Sequence, residues 1–167
     1  MDLTPFMPWI VFAHVAGAFA FAAGHGVSMF VAFRVRAEHD RGRMAALLDL
    51  SGTSLAVAGI GMLVLLIAGI VAAFVAGEWG RLWLWASLIL FILIGGLMTP
   101  IGSAYFGRLR AGLGQRTRNL KPGDPDPVPV SDDALAALQA SNAPNTLLAV
   151  GGGGFLVILY LMMFKPF

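Results

Sequence analysis

Cysteine is absent from this chain, which excludes disulfides and thiolate metal sites and leaves the redox compartment open. Charge is nearly as scarce. Only 12% of the residues are charged and 58% are hydrophobic, whereas a soluble domain carries about a quarter charged and near half apolar. The net charge of +2 is too small to draw the chain to nucleic acid, so no nucleic-acid partner is expected. Apolar and polar residues do not alternate in segments of about ten, so a membrane barrel is not expected. No Lys or Arg precedes Arg34, so the first apolar stretch lacks the basic start of a signal peptide and should stay in the mature chain.

What is present is long uncharged runs. No charge falls between Asp2 and Arg34, Asp49 and Glu78, Arg81 and Arg108, or Asp133 and Lys165. Each run exceeds the roughly 20 residues a helix needs to cross about 30 Å of hydrocarbon. Lipid cannot satisfy backbone polar groups, so these runs must be helices. The spacing predicts an all-α integral membrane four-helix bundle in one domain, residues 1–167. Its helices are expected at about Pro8–Phe33, Leu50–Ala76, Leu82–Phe106 and Thr146–Phe164.

The loops fix the expected orientation. The Arg34–Arg43 and 107–145 loops hold Arg34, Arg36, Arg41, Arg43, Arg108, Arg110, Arg116, Arg118 and Lys121, and only Arg81 and Lys165 lie elsewhere. The positive-inside rule then predicts up-down topology with both loops cytoplasmic and both termini outside, in a bacterial inner membrane. These basic loops should meet anionic headgroups, at about 1 kcal/mol per residue. Trp9, Trp79, Trp83 and Trp85 fall at the opposite ends, and Tyr105 marks the arginine interface. The long loop is proline-rich from Pro122 to Pro129 and should be extended. Ser131 then caps a short amphipathic helix, about 131–141, expected on the membrane surface. Asp49 reads as the cap of the second helix, within reach of Arg43 or Arg36. Thr99-Pro100 should bend the third helix, with the Thr99 hydroxyl serving the freed carbonyl. Arg34-Val-Arg-Ala37 and Arg108-Leu-Arg-Ala111 suggest two duplicated hairpins; the plainer reading is that any inner helix end collects arginine.

Chemistry is confined to few side chains. His14 and His25 are the ionisable groups well inside a span, and such groups are expensive in lipid and tend to be functional. They lie three turns, or about 16 Å, apart on one helix face, so they cannot ligate one iron together. His25 shares its depth with Met98 and Met62 and with glycines at Gly59, Gly61, Gly95, Gly96 and Gly151–Gly154. A haem held by His25, with Met98, Met62 or nothing opposite, suits that layer. His14 could hold a second cofactor, face a quinone, or bind copper with Met7. The competing readings are plain packing: glycine layers bring helices together, methionine fills gaps, and a lone histidine bonds a carbonyl across a helix interface. His39 should simply be solvated.

Trp9-Ile-Val-Phe-Ala-His14, the small residues up to Gly24, and Arg34-Val-Arg36 resemble an uncharacterised bacterial family of four-helix integral membrane proteins, a domain of unknown function. The likeness covers about residues 8–112 and is distantly similar to the copper-resistance type D membrane domain and the four-helix protoporphyrinogen oxidase family. The oxidase resemblance implies haem b on a helix-1 histidine, carried over to His14 only. That family also has a lysine in its third helix and a Tyr-x-Pro-Arg-like end to its first. Here the third helix has no lysine and the first ends Phe30-Val-Ala-Phe-Arg34. The copper resemblance implies metal handling at the outer side, where methionine-rich motifs are missing here. The expectation is therefore a haem-b-binding protein acting in electron transfer or as a redox subunit. The alternatives are a non-enzymatic accessory or assembly subunit of a larger complex or homo-oligomer, and, less favoured, a small ion or metal transporter.

Overall fold

The computed structural model describes residues 2–117, 120, 121 and 123–167. Arg118 and Pro122, named above for charge and for the proline-rich stretch, lie outside the described residues. Every regular element among the described residues is helical: α1 (Met7–Val35), α2 (Arg41–Val75), α3 (Leu82–Gly112), α4 (Asp132–Gln139), α5 (Ala143–Leu147) and α6 (Gly153–Phe164). A π-helical turn, Leu148–Gly152, joins α5 to α6 without a break. Four helical stretches are long and apolar enough to cross a membrane, as a multi-pass membrane protein requires. Their outer faces carry large exposed hydrophobics such as Phe12, Phe19, Ile60, Ile67, Ile92 and Leu156. Water would penalise such a surface, and lipid accepts it.

Two helix ends differ from expectation. The second helix begins at Arg41, not near Leu50, and the third runs on to Gly112, past Phe106. Hydropathy marks the part of a helix that lipid covers, and a helix can continue beyond it. At 35 residues α2 is about 52 Å long, far more than a hydrocarbon core of about 30 Å. The cap of α2 is accordingly Asp40, whose carboxylate accepts the Arg43 N–H at 2.7 Å. Asp49 is no cap. It sits inside α2 and pairs across to Arg110 at 2.8 Å, not to Arg43 or Arg36.

The α1–α2 pair is the most closely packed part of the bundle. Gly17, Phe21, Gly24, Ser28, Val31 and Val35 recur at alternating spacings of four and three, a heptad-like seam. A Cβ on Gly17 would lie 2.5 Å from the Leu65 nitrogen, and one on Gly61 would lie 2.5 Å from the Phe21 nitrogen. Gly24 is likewise set directly against the Ser54 carbonyl. Glycine here lets two backbones touch, which supplies dispersion contact that lipid-facing surfaces cannot. Ser28 and Ser51 hydrogen-bond across the seam at 2.7 Å. The contacts pair the start of α1 with the end of α2, so the two helices are antiparallel.

The α3–α6 pair is looser and is anchored at Gly151 against Met98 and Gly154 against Ile94. Gly59, Gly95, Gly96 and Gly153, by contrast, face open space, so only part of the expected glycine layer points inward. Thr99 Oγ1 donates to the Gly95 carbonyl at 2.7 Å. The carbonyl freed by Pro100 in an i→i−4 ladder is that of Gly96, so the hydroxyl serves the neighbouring position. Different packing in the two hairpins lends no support to their duplication.

At the arginine end, α4 is docked beneath the bundle. Leu135 joins Val31, Val35, Met44, Leu48, Tyr105 and Leu109 in a closed core. Gln139 Nε2 donates to the Val35 and Glu38 carbonyls, each at 2.7 Å. Ser131 caps α4 as expected. Tyr105 is no interface marker: it is 2% exposed and its hydroxyl donates to the Ala32 carbonyl at 3.1 Å. At the tryptophan end, Gly77 turns the chain out of α2 at φ 67, and Trp79 packs between Phe74, tilted, and Trp85, edge-on.

Candidate functional site

Two cavities, one toward each end, separate the hairpins. The tryptophan-side cavity holds about 670 Å³ and is lined by His14 with aromatic and aliphatic side chains, among them Phe21, Trp83, Phe91 and Phe155. The arginine-side cavity holds about 690 Å³ and is lined by His25, Ser28, Ser51, Met98 and Arg110. Phe21 packs on Phe91 and Phe155 at centroid separations of 6.4 and 6.5 Å. It also stacks on the His25 ring at 5.4 Å, so it stands between the two imidazoles. The histidines on one helix thus serve different spaces.

His14 is held. Its Nδ1 lies 2.8 Å from the Leu65 carbonyl oxygen on α2. A carbonyl can only accept, so Nδ1 carries a proton, and in the neutral ring Nε2 keeps a lone pair. Gly69 makes this possible: a Cβ there would lie 2.8 Å from Nδ1 and 2.9 Å from Cε1. The residue was not foreseen from the sequence. The available signal was a glycine one turn beyond Leu65 at the depth of His14. Met7 lines the same cavity.

His25 is not held in this way. Among the described residues it has no hydrogen-bond partner. Its Nε2 is 3.7 Å from where a Cβ on Gly151 would stand, and Met98 Sδ is 2.6 Å from that point. The expected neighbours His25, Met98 and Gly151 therefore do meet, at the π-helical turn, a distortion often found at functional sites. Met62 lines neither cavity. His39 is exposed.

The mouth of the tryptophan-side cavity has its own polar groups. Lys165 Nζ lies 3.2 Å from Glu78 and 5.0 Å from the Trp83 ring centroid. Trp79 lines the cavity too, and its Nε1–H is buried with no acceptor among the described residues. A buried donor left unmet costs about 1–3 kcal/mol and calls for a partner. The described residues contain no group of three or more His, Asp or Glu placed to hold a metal ion. A haem needs no such group, since one or two axial side chains suffice. No family model, curated protein or solved structure matches the chain.

Proposed function

We propose that this chain is a haem-b-binding protein of the bacterial inner membrane, acting in electron transfer or as a redox subunit, with His14 as the residue that would hold the haem. One observation carries the reading: the His14 Nδ1–H is tied to the Leu65 carbonyl at 2.8 Å, beside an apolar cavity of about 670 Å³. Histidines that ligate metals characteristically donate their other N–H to a carbonyl or carboxylate, which fixes the tautomer and aims the free nitrogen. The cavity size falls within the roughly 300–1,000 Å³ of cofactor sites. The unmet Trp79 N–H is suited to a carboxylate of such a group. When bound, haem would supply one-electron chemistry; the chain's own part is to hold the imidazole, exclude water and tune charge at the mouth.

The orientation that accompanies this reading places the arginine end in the cytoplasm and both termini outside, in up-down order. The antiparallel contacts of α1 with α2, and of α3 with α6, support the up-down order, and the basic loops alone support the side. Exposed basic side chains there would meet anionic headgroups.

The test is an absorption spectrum of the purified chain after expression with adequate haem. A Soret band is expected, lost in His14→Ala and kept in His25→Ala. Absence of the band in the parent protein would sink the proposal. A second reading, an accessory subunit or homo-oligomer, is favoured by Gly59, Gly95, Gly96 and Gly153, which present small residues to open space where another helix could approach. Co-purification with a larger complex would support it, and a monodisperse, haem-loaded chain alone in detergent would count against it.

A further inference from the structure

The haem reading leaves the arginine-side cavity unused, with polar groups of its own. These divide into spent and unspent. Arg110 is committed to the Asp49 carboxylate, the Gln115 amide oxygen and the Leu48 carbonyl. Arg116 is committed to Asp126 and to the carbonyls of Asp124 and Lys121. The hydroxyls of Thr99 and Ser103 donate to carbonyls of their own helix. Two donors remain. His25 has no partner among the described residues. Ser28 and Ser51 bond each other at 2.7 Å, which uses one hydroxyl proton of the two and leaves the other over.

What the cavity lacks in partners describes its ligand. Its cations are already compensated, so an anionic group would gain little from them. An imidazole N–H and a hydroxyl proton ask for neutral oxygen acceptors. The surrounding walls, among them Leu55, Phe106 and Leu147, ask for a flat apolar body. The cavity is not sealed, so a hydrocarbon tail could leave it.

We propose that the arginine-side cavity binds the headgroup of a membrane-soluble quinone, with His25 donating to one ring carbonyl and the Ser28–Ser51 pair lending the second donor. This binding does not depend on haem at His14, so the two can fail separately.

The test uses the full chain in detergent with decylubiquinone as the probe, followed by calorimetry and by the infrared stretch of the quinone carbonyls. Saturable one-to-one binding is expected, with at least one carbonyl stretch moved to lower wavenumber. His25→Phe should abolish the movement of the carbonyl that His25 serves and weaken binding about three- to tenfold, as for one lost hydrogen bond. Gly102→Leu should abolish binding, because a Cβ there enters the cavity with only an ordinary contact to Leu147 at 3.9 Å. Ala18→Leu, in the other cavity, should change neither readout. Partition into micelles without saturation would overturn the proposal. So would unchanged binding in both His25→Phe and a folded Gly102→Leu, loss of binding in Ala18→Leu, or a co-purified phospholipid that decylubiquinone does not displace.

Discussion

His14 and His25 lie on one helix, three turns apart, yet their surroundings differ in kind. His14 is fixed by the Leu65 carbonyl and seated on Gly69. His25 is stacked on Phe21, set near Gly151 and Met98, and left without a hydrogen bond among the described residues. The difference comes from the helix opposite each ring. His14 packs on α2, whose close seam with α1 brings a carbonyl within reach. His25 reaches α3 and the π-helical turn before α6, where packing is looser and leaves a cavity. A polar side chain at membrane depth is therefore defined by the helix it meets, and the residue type alone does not say whether it is a structural bond, a ligand or an open donor.

The comparison can be broken most severely at the seam. Gly61→Leu would drive a side chain into the α1 backbone and should cost about 3 kcal/mol or more, since backbone cannot step aside. Gly59→Leu, facing open space, should be close to neutral in the same thermal unfolding series in detergent. Equal effects would mean that α1 and α2 are not closely packed. A smaller effect is expected at the histidines themselves. Gly69→Ala should push the imidazole off Leu65, cost about 1–2 kcal/mol and reduce haem occupancy read from the Soret band. Gly151→Ala meets the flexible tip of Met98 and should cost less than about 1 kcal/mol. A reversed order would exchange the roles assigned to the two rings.

The arginine end gives the next contrast. Gln139→Leu removes the donor that serves Val35 and Glu38 and should cost about 1–2 kcal/mol, with faster amide exchange confined to the 36–40 turn and α4. Uniform exchange changes across the bundle would refute a local clasp. The smallest expected effect is a pH response in that turn. The Asp40 N–H, with help from the His39 N–H and from Arg43 and Arg34, holds the Glu38 carboxyl below its ordinary value of 4.5. A depressed folded value stabilises the turn above the unfolded value and loses that stabilisation as pH falls through the folded one. Amide protection of residues 38–40 should therefore fall only below about pH 4.5, and Glu38→Gln should remove the pH dependence. Loss of protection already above pH 5 in the parent chain would refute the assignment to Glu38.

Composition and charge spacing alone determined that four helices are long and apolar enough to cross a membrane, and roughly where. The physical reason is that lipid excludes charge and demands an internally bonded backbone, and both demands are written residue by residue. They also picked out His14 and His25, because an imidazole at that depth is conspicuous in any sequence. Helix ends beyond the apolar runs escaped, since Arg41-Gly-Arg43 is helical for reasons of capping and not of hydropathy. Only the tertiary structure decided which glycines face a backbone and which face open space, because identical residues on one helix differ solely in rotation about its axis. It alone placed Gly69 under His14, brought Met98 to His25 while leaving Met62 aside, and sank Tyr105 into the core. Those outcomes depend on how two helices are rotated and shifted against each other. That register is set by the sum of many small contacts, and no single stretch of sequence contains it.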